Sequence, residues 1–152
     1  MPHKILICGL NGAGKSTLGR ALGRASGWRF ADTEDYYFPR PGDYTFSRTR
    51  EEAAALLLCD LQKYDDFIFA SVRGDFGDAA ISQFTHAVLV CTPRELRLER
   101  VKMRSGEDFA DFAAARPEDL VTKHLAALAL PVLQVDGTKP PEENAAYILK
   151  NL

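Results

Sequence analysis

Apolar and polar positions along this chain alternate between two repeat lengths. Short, mostly apolar runs recur at 4–8, 28–31, 67–70, 87–91 and 131–135. Runs of this length without strict polar alternation predict strands buried on both faces. Between them lie stretches whose apolar residues return every three or four positions. Leu18, Ala21, Leu22 and Ala25 mark a helix over 15–25, and Ala53, Leu56, Leu57 and Leu61 supply the apolar face of one over 49–63. Further helices are predicted over 76–84, from 92 to about 104, over 117–128 and over 141–150. Thr92 is the expected N-cap of the second of these, with Pro93 in its first turn, and Pro117 the expected start of the next. An aromatic and proline-rich loop runs from Tyr36 to Phe46, and a polar segment covers 105–116. Five strands separated by helices predict an α/β fold: a parallel sheet covered by helices on both faces. Ligands of such sheets bind beyond the carboxyl ends of the strands. The segments there are 9–16, Asp32, 71–77, Thr92 and Asp136.

The first of these segments reads G-x-x-x-x-G-K-S from Gly9 to Ser16, placed between a strand and a helix. In that context the pattern predicts a phosphate-binding loop. Glycines let backbone N–H groups converge on anionic oxygens, and the helix start adds its positive dipole end. The expected nucleotide contacts are Gly9, Asn11, Gly12, Ala13, Gly14, Lys15, Ser16 and Thr17. Lys15 would reach the β- and γ-phosphates as a catalytic cation, and the Ser16 hydroxyl would ligate Mg²⁺.

Three carboxylates, Asp32, Glu34 and Asp35, follow the second strand. Beside a nucleoside triphosphate, a carboxylate can hold Mg²⁺ or orient an acceptor hydroxyl and take its proton. Asp32, nearest the strand end, is the metal-side and catalytic candidate, and Asp35 or Glu34 could face the acceptor. The same residues would also suit a solvated acidic turn or a helix start. After the fourth strand, Arg97, Arg100 and Arg104 share one helix face, with no acid three or four residues ahead of any of them. An unneutralised arginine row at the ligand edge suggests a phosphate site. Arg73, after the third strand, is a candidate for binding the acceptor or the transferring group. Tyr36, Tyr37 and Phe38 could line an acceptor pocket or pack their loop onto the domain.

Composition narrows the classes. The 152 residues suit one domain, and 46% apolar with 26% charged residues is ordinary for a globular protein. A formal net charge of −2 gives no global field toward nucleic acid or membranes. Cys8, Cys59 and Cys91 are scattered and odd in number, which argues against a disulfide framework or zinc site and suits a reducing, cytoplasmic setting. No signal peptide is expected, and no apolar run is long enough to span a bilayer.

Taken in order, GLNGAGKS, DTEDYY, CTPRELRLERVKMR and VDGTKP make nearly the whole chain resemble the small P-loop kinases related to adenylate, shikimate and gluconate kinases. Within that group it looks most like adenylate kinase-like bacterial P-loop proteins. The resemblance implies a three-layer fold with strand order 2-3-1-4-5, ATP with Mg²⁺, a lid over 105–116 and an acceptor-side segment over 33–64. It implies an adenine-side or phosphate role for Arg100, a lid role for Arg104 on the transferring phosphoryl group, and backbone contacts to adenine from 136–140, Lys139 included. The acceptor motifs depart from the pattern. The segment after strand three reads Ala70-Ser71-Val72-Arg73-Gly74, where full adenylate kinases carry D-G-F-P-R and shikimate kinases a triple glycine. A GTPase is not supported, since neither N-K-x-D nor a D-x-x-G switch is present. The expected function is transfer of the γ-phosphoryl of ATP to a small-molecule acceptor. The alternatives are a regulatory or assembly ATPase and, with Arg40, Arg48 and Arg50 as its basis, a nucleic-acid-end kinase.

Overall fold

A computed structural model describes residues 2–152. Strand β1 (Lys4–Cys8) lies at the centre of a five-stranded sheet in the order β2-β3-β1-β4-β5, every pairing parallel. The others are β2 (Arg29–Asp32), β3 (Phe67–Ala70), β4 (His86–Cys91) and β5 (Val132–Asp136). The expected topology is therefore the observed one. Successive side chains of a strand point to opposite faces, and β1 divides its residues accordingly. Leu6 and Cys8 enter one core with Phe67, Phe69 and the buried residues of α3 (Arg50–Lys63) and α7 (Leu120–Ala126). Ile5 and Ile7 enter the other with Ile68, Val88 and the apolar faces of α1 (Lys15–Ser26) and α8 (Pro141–Lys150). Two apolar faces on one sheet require two helical layers.

The remaining helices are α2 (Thr33–Tyr37), α4 (Asp78–Ile81), α5 (Arg94–Ser105) and α6 (Glu107–Ala114). Several boundaries differ from the sequence reading. The helix expected over 76–84 contracts to α4. Thr92 does not cap α5: Pro93 occupies that position, and the Thr92 hydroxyl instead donates to the Ala13 carbonyl at 2.9 Å. The polar 105–116 segment is itself mostly helical, set off from α5 by Gly106 at φ 89°. Pro117 opens a turn, and α7 begins three residues later. On α3 the buried row is Ala53, Leu57 and Leu61, spaced by four, which leaves Leu56 40% exposed.

One buried ion pair fixes the helix that follows β4. Arg97 is only 3% exposed, and its Nη2 donates to both carboxylate oxygens of Glu118 at 2.6 and 2.8 Å. Its Nη1 donates to the Asn11 carbonyl at 3.2 Å. Arg94 adds bonds to Glu118 at 2.9 Å and to the Ala114 carbonyl at 3.1 Å. These bonds join α5, the turn after α6 and the loop after β1. Burial tends to raise the Glu118 carboxyl, but the bonds and charges of Arg97 and then Arg94 hold it below its ordinary value.

Glu118→Gln leaves the buried guanidinium without its counter-charge. Glu118 is half-exposed, so water screens the loss, and the expected destabilisation is about 1–2 kcal/mol in urea unfolding at neutral pH. A carboxyl lowered by folding stabilises above its unfolded value and loses that stabilisation as pH falls through the folded one. The gap between wild type and variant should therefore narrow below pH 4.5, the ordinary glutamate value. A pH-independent gap would show that charge is not the source.

Candidate active site

The loop after β1 is closed by its own backbone. The Ala13 N–H donates to the Leu10 carbonyl at 3.1 Å, and the Gly9 N–H donates to Val72 beyond β3 at 3.2 Å. Gly12 and Gly14 hold φ of 82° and 103°, the left-handed region that favours glycine. A Cβ on Gly12 would also strike the Arg97 carbonyl, so the loop lies directly against α5. The N–H groups of Gly12, Gly14, Lys15, Ser16 and Thr17 have no acceptor among the described residues. Free donors clustered at the start of a twelve-residue helix form an anion cradle.

Lys15 rests with its Nζ on the Leu10 carbonyl at 3.1 Å. Burial lowers its pKa to about 8. The Cys8 thiol partly opposes that shift, while the charges of Arg104, Arg116 and Arg97 lower it further. Cys8, sealed in the sheet beneath it, is pushed up to about 12 by burial and stays an inert thiol. The floor of the site is thus strongly cationic.

Asp32 faces this floor. The Ser16 hydroxyl donates to its Oδ2 at 3.5 Å. Its Oδ1 accepts from the Asp35 N–H at 3.3 Å, while the Asp32 N–H donates to Asp35 Oδ2 at 2.9 Å. The pair is a capping box that starts α2. Asp32 therefore starts α2, one of the readings open in the sequence, and also turns its Oδ2 toward Ser16. One oxygen of Asp35 is committed to the box. Burial raises the Asp32 carboxyl above its ordinary value, with Asp35 and Glu34 adding to the shift against the backbone bonds. Glu34 accepts from the Tyr44 hydroxyl at 3.2 Å and so ties down the 38–48 loop. Ser16 and Asp32 present hard oxygen donors side by side, the chemistry that suits Mg²⁺.

The expected arginine row is divided, and this corrects its reading as an unneutralised set. Arg97 is buried against Glu118, a partner that lies 21 residues away rather than on the same helix. Arg100 donates to the Gly12 carbonyl at 3.2 Å and the Gly137 carbonyl at 3.3 Å, drawing the loop and the post-β5 segment together. Only Arg104 is exposed and free of carboxylates, with Ser105 Oγ at 3.5 Å its one neighbouring acceptor. A cleft of about 580 Å³ opens there, lined by Gly14, Thr17, Arg100, Arg104, Thr138 and Lys139. The expected nucleotide residues are thus brought together, while Lys139 points its ammonium toward Glu143 at 3.9 Å.

Arg73 is exposed, its Nη2 3.9 Å from Asp75, which Arg50 also engages at 3.2 Å. Arg48 is spent on the Tyr36 carbonyl at 3.0 Å. One cation escaped the sequence reading. Arg116, in the turn held by the Arg94–Glu118–Arg97 bonds, is close enough to Lys15 to lower its pKa. The available signal was its place at the end of the 105–116 segment, four residues after Phe112.

Gly137 decides whether the cleft can form. A Cβ there would strike the Thr92 hydroxyl and the Ala13 carbonyl. Gly137→Ala should force the post-β5 segment away from the loop and weaken ATP binding at least tenfold by titration with a fluorescent analogue, roughly the 1.4 kcal/mol of one misplaced contact surface. Unchanged affinity would show that this segment does not form the nucleotide wall.

No family model matches the chain. It is 32% identical over 111 residues to the uncharacterized protein YqaC of Bacillus subtilis, the match covering 73% of this chain and 61% of YqaC. The chain thus spans about three-fifths of that relative's length. Shikimate kinase from Acinetobacter baumannii, solved in complex with shikimate, superposes with a TM-score of 0.71 at 17% identity, over 99% of this chain and 92% of that one. Deoxyadenosine kinase from M. mycoides, solved with bound dATP, superposes with a TM-score of 0.64 at 14% identity, over 97% and 98%. Sheet order, loop and superposition agree: the chain has the fold of the small P-loop kinases of the adenylate kinase-like group.

Proposed function

We propose that this protein transfers the γ-phosphoryl group of ATP to a hydroxyl of a small-molecule acceptor. The observation that supports this reading best is the half-buried Asp32 carboxylate beside Ser16, at the junction between the anion cradle and the 33–49 segment. A carboxylate at this junction lies within reach of both the cradle and an acceptor entering from the 33–49 segment, a place that suits phosphoryl transfer to a hydroxyl. Matches to kinases for shikimate and for deoxyadenosine add support for the reaction class and leave the acceptor open.

In this reading the free N–H groups of Gly12 to Thr17 and the Lys15 ammonium hold the β- and γ-phosphates. The cleft beside Arg100, Thr138 and Lys139 takes the nucleoside. Asp32 orients the acceptor hydroxyl and accepts its proton as the oxygen bonds to the γ-phosphorus. The bond to the bridging oxygen breaks, and its electron pair leaves with ADP. Arg104, the unpaired cation of the row, offsets charge on the group in flight. Ser16 with Asp32 would hold Mg²⁺, which would supply neutralisation of phosphate charge. Positioning and fixed charge are then the main sources of rate. Arg48 and Arg50 are occupied within the protein, which removes most of the basis for a nucleic-acid groove.

The test is acceptor-dependent ADP release across nucleosides, nucleotides, polyols and their acids. Lys15→Ala and Arg104→Ala should each lower turnover by about 10²–10³. Asp32→Asn retains an N-cap-competent side chain, so α2 should form while turnover falls by about 10²–10⁴ with ATP affinity little changed. Tight ATP binding with no acceptor stimulation would favour the regulatory ATPase. Full transfer by both Lys15→Ala and Arg104→Ala would overturn the mechanism.

A further inference from the structure

Asn11 stands at the corner of the phosphate loop with a side chain that bonds to nothing. Its Oδ1 is sealed from solvent and meets no donor among the described residues. The one hydrogen bond of the residue there belongs to its backbone carbonyl, which accepts from Arg97 Nη1. The other polar side chains between Gly9 and Ser16 are engaged, Lys15 with the Leu10 carbonyl at 3.1 Å and Ser16 with Asp32 at 3.5 Å. An asparagine in a turn usually has one of two structural reasons: a left-handed backbone, or a side-chain bond to the main chain nearby. Neither applies to Asn11. Among the described residues only glycines have positive φ, and the turn is closed by backbone alone, from the Ala13 N–H to the Leu10 carbonyl. A buried acceptor without a partner weakens the fold, and an apolar residue would not carry that cost.

The place of Asn11 indicates what its carboxamide would meet. Gly12, Gly14 and Thr17 line the cleft that takes the nucleoside in the reading above, and Asn11 does not. A phosphate chain entering the cradle from that cleft therefore runs toward the side where Asn11 stands. The Lys15 ammonium, which reaches the β- and γ-phosphates in loops of this pattern, rests on the carbonyl of Leu10, the residue joined to Asn11. It spends one of its three donors there. Arg97, itself anchored on Glu118, holds the Asn11 main chain, so the root of the side chain is fixed while its end is free.

We infer that the Asn11 carboxamide is a ligand of the terminal phosphoryl group and makes the site discriminate a nucleoside triphosphate from a diphosphate. Its NH₂ group donates to a γ-phosphate oxygen. Its Oδ1 takes a donor from the Lys15 ammonium as that leaves Leu10 for the phosphates. Both ends of the carboxamide then have partners, and the bond to the charged oxygen is of the stronger kind. A diphosphate offers the NH₂ group nothing, so Asn11 favours ATP over ADP and helps the product to leave. The loop backbone holds phosphates whatever side chain stands here; the discrimination is what Asn11 adds. The inference rests on the ATP-binding part of the reading above and is independent of the acceptor.

The test is calorimetric titration of the β,γ-imido analogue of ATP and, separately, of ADP, each with Mg²⁺ and with no acceptor present. Asn11→Ala should weaken the analogue roughly tenfold and ADP by less than about twofold. Asn11→Asp keeps the shape but sets a negative oxygen beside the phosphate, and should weaken the analogue further still. The urea midpoint of Asn11→Ala should not fall, since no side-chain bond of the folded protein is lost. Equal weakening of analogue and ADP, with or without a lower urea midpoint, would show that Asn11 acts through the shape of the loop and would overturn the inference. Unchanged affinity for both nucleotides in both variants would overturn it as well. The wider reading fails separately. A wild-type protein that binds neither nucleotide would overturn both. Lost preference for the analogue in Asn11→Ala, together with no acceptor turnover by wild type, would support the γ-phosphate contact and count against phosphoryl transfer alone.

Discussion

A guanidinium taken out of water must find negative charge and acceptors within its reach, and Arg97 finds them in two distant parts of the chain. Glu118 supplies the charge from the turn after α6, and Asn11 supplies a carbonyl from the loop after β1. Removing Glu118 would leave the buried guanidinium without its counter-charge, a larger loss than that of a bridge exposed at both ends. The arrangement therefore acts as a fixed point. It presses α5 against the loop so closely that only glycine fits at position 12. It also sets the height from which Arg100 and Arg104, one and two turns onward, reach over the cradle.

From that fixed point the cations separate by task. Arg97 has exchanged its charge for structure. Arg100 spends its donors on carbonyls and joins the two walls of the cleft. Arg104 stays exposed and free of carboxylates, and its charge, with those of Arg116 and Arg97, adds to the burial that lowers the Lys15 pKa. Concentrated positive charge without compensation is costly to the folded protein, and a bound polyanion relieves that cost. The same electrostatics that would weaken the free protein would therefore strengthen its grip on phosphate.

The sheet could be read in the sequence because its signals are local. Five apolar runs, a glycine loop between strand and helix, and helical spacing in α1 and α3 are each settled within about a dozen residues. The loop was equally plain, since its meaning resides in eight consecutive residues. The pairing of Arg97 was not, because the search for a neutralising acid stopped at one helical turn while Glu118 lies 21 residues on. Thr92 illustrates the same limit. A threonine before a proline and a helix has the local chemistry of an N-cap, but the close approach of the loop offers its hydroxyl the Ala13 carbonyl instead. Arg116 carried a weaker signal: only its place at the end of the 105–116 segment, four residues after Phe112, sets it apart from a solvated arginine.

Asp32 shows how a structural role can leave room for a chemical one at the same position. A carboxylate has two oxygens, and the end of a parallel strand that runs into a helix uses them differently. One oxygen accepts from the first turn of α2 and fixes the side-chain rotamer. The other is thereby aimed at Ser16 and the cradle rather than left to rotate. The capping box that looks like a competing explanation is the device that orients the group. Preorganisation of this kind is what positioning chemistry requires, because a carboxylate already held in place spends no free energy on ordering when the acceptor arrives. Asp35 completes the box and so serves the site through Asp32, with one oxygen left over. The acidic cluster is thus a single construction: a helix start in which Asp35 and the first-turn backbone hold one carboxylate toward the phosphate loop.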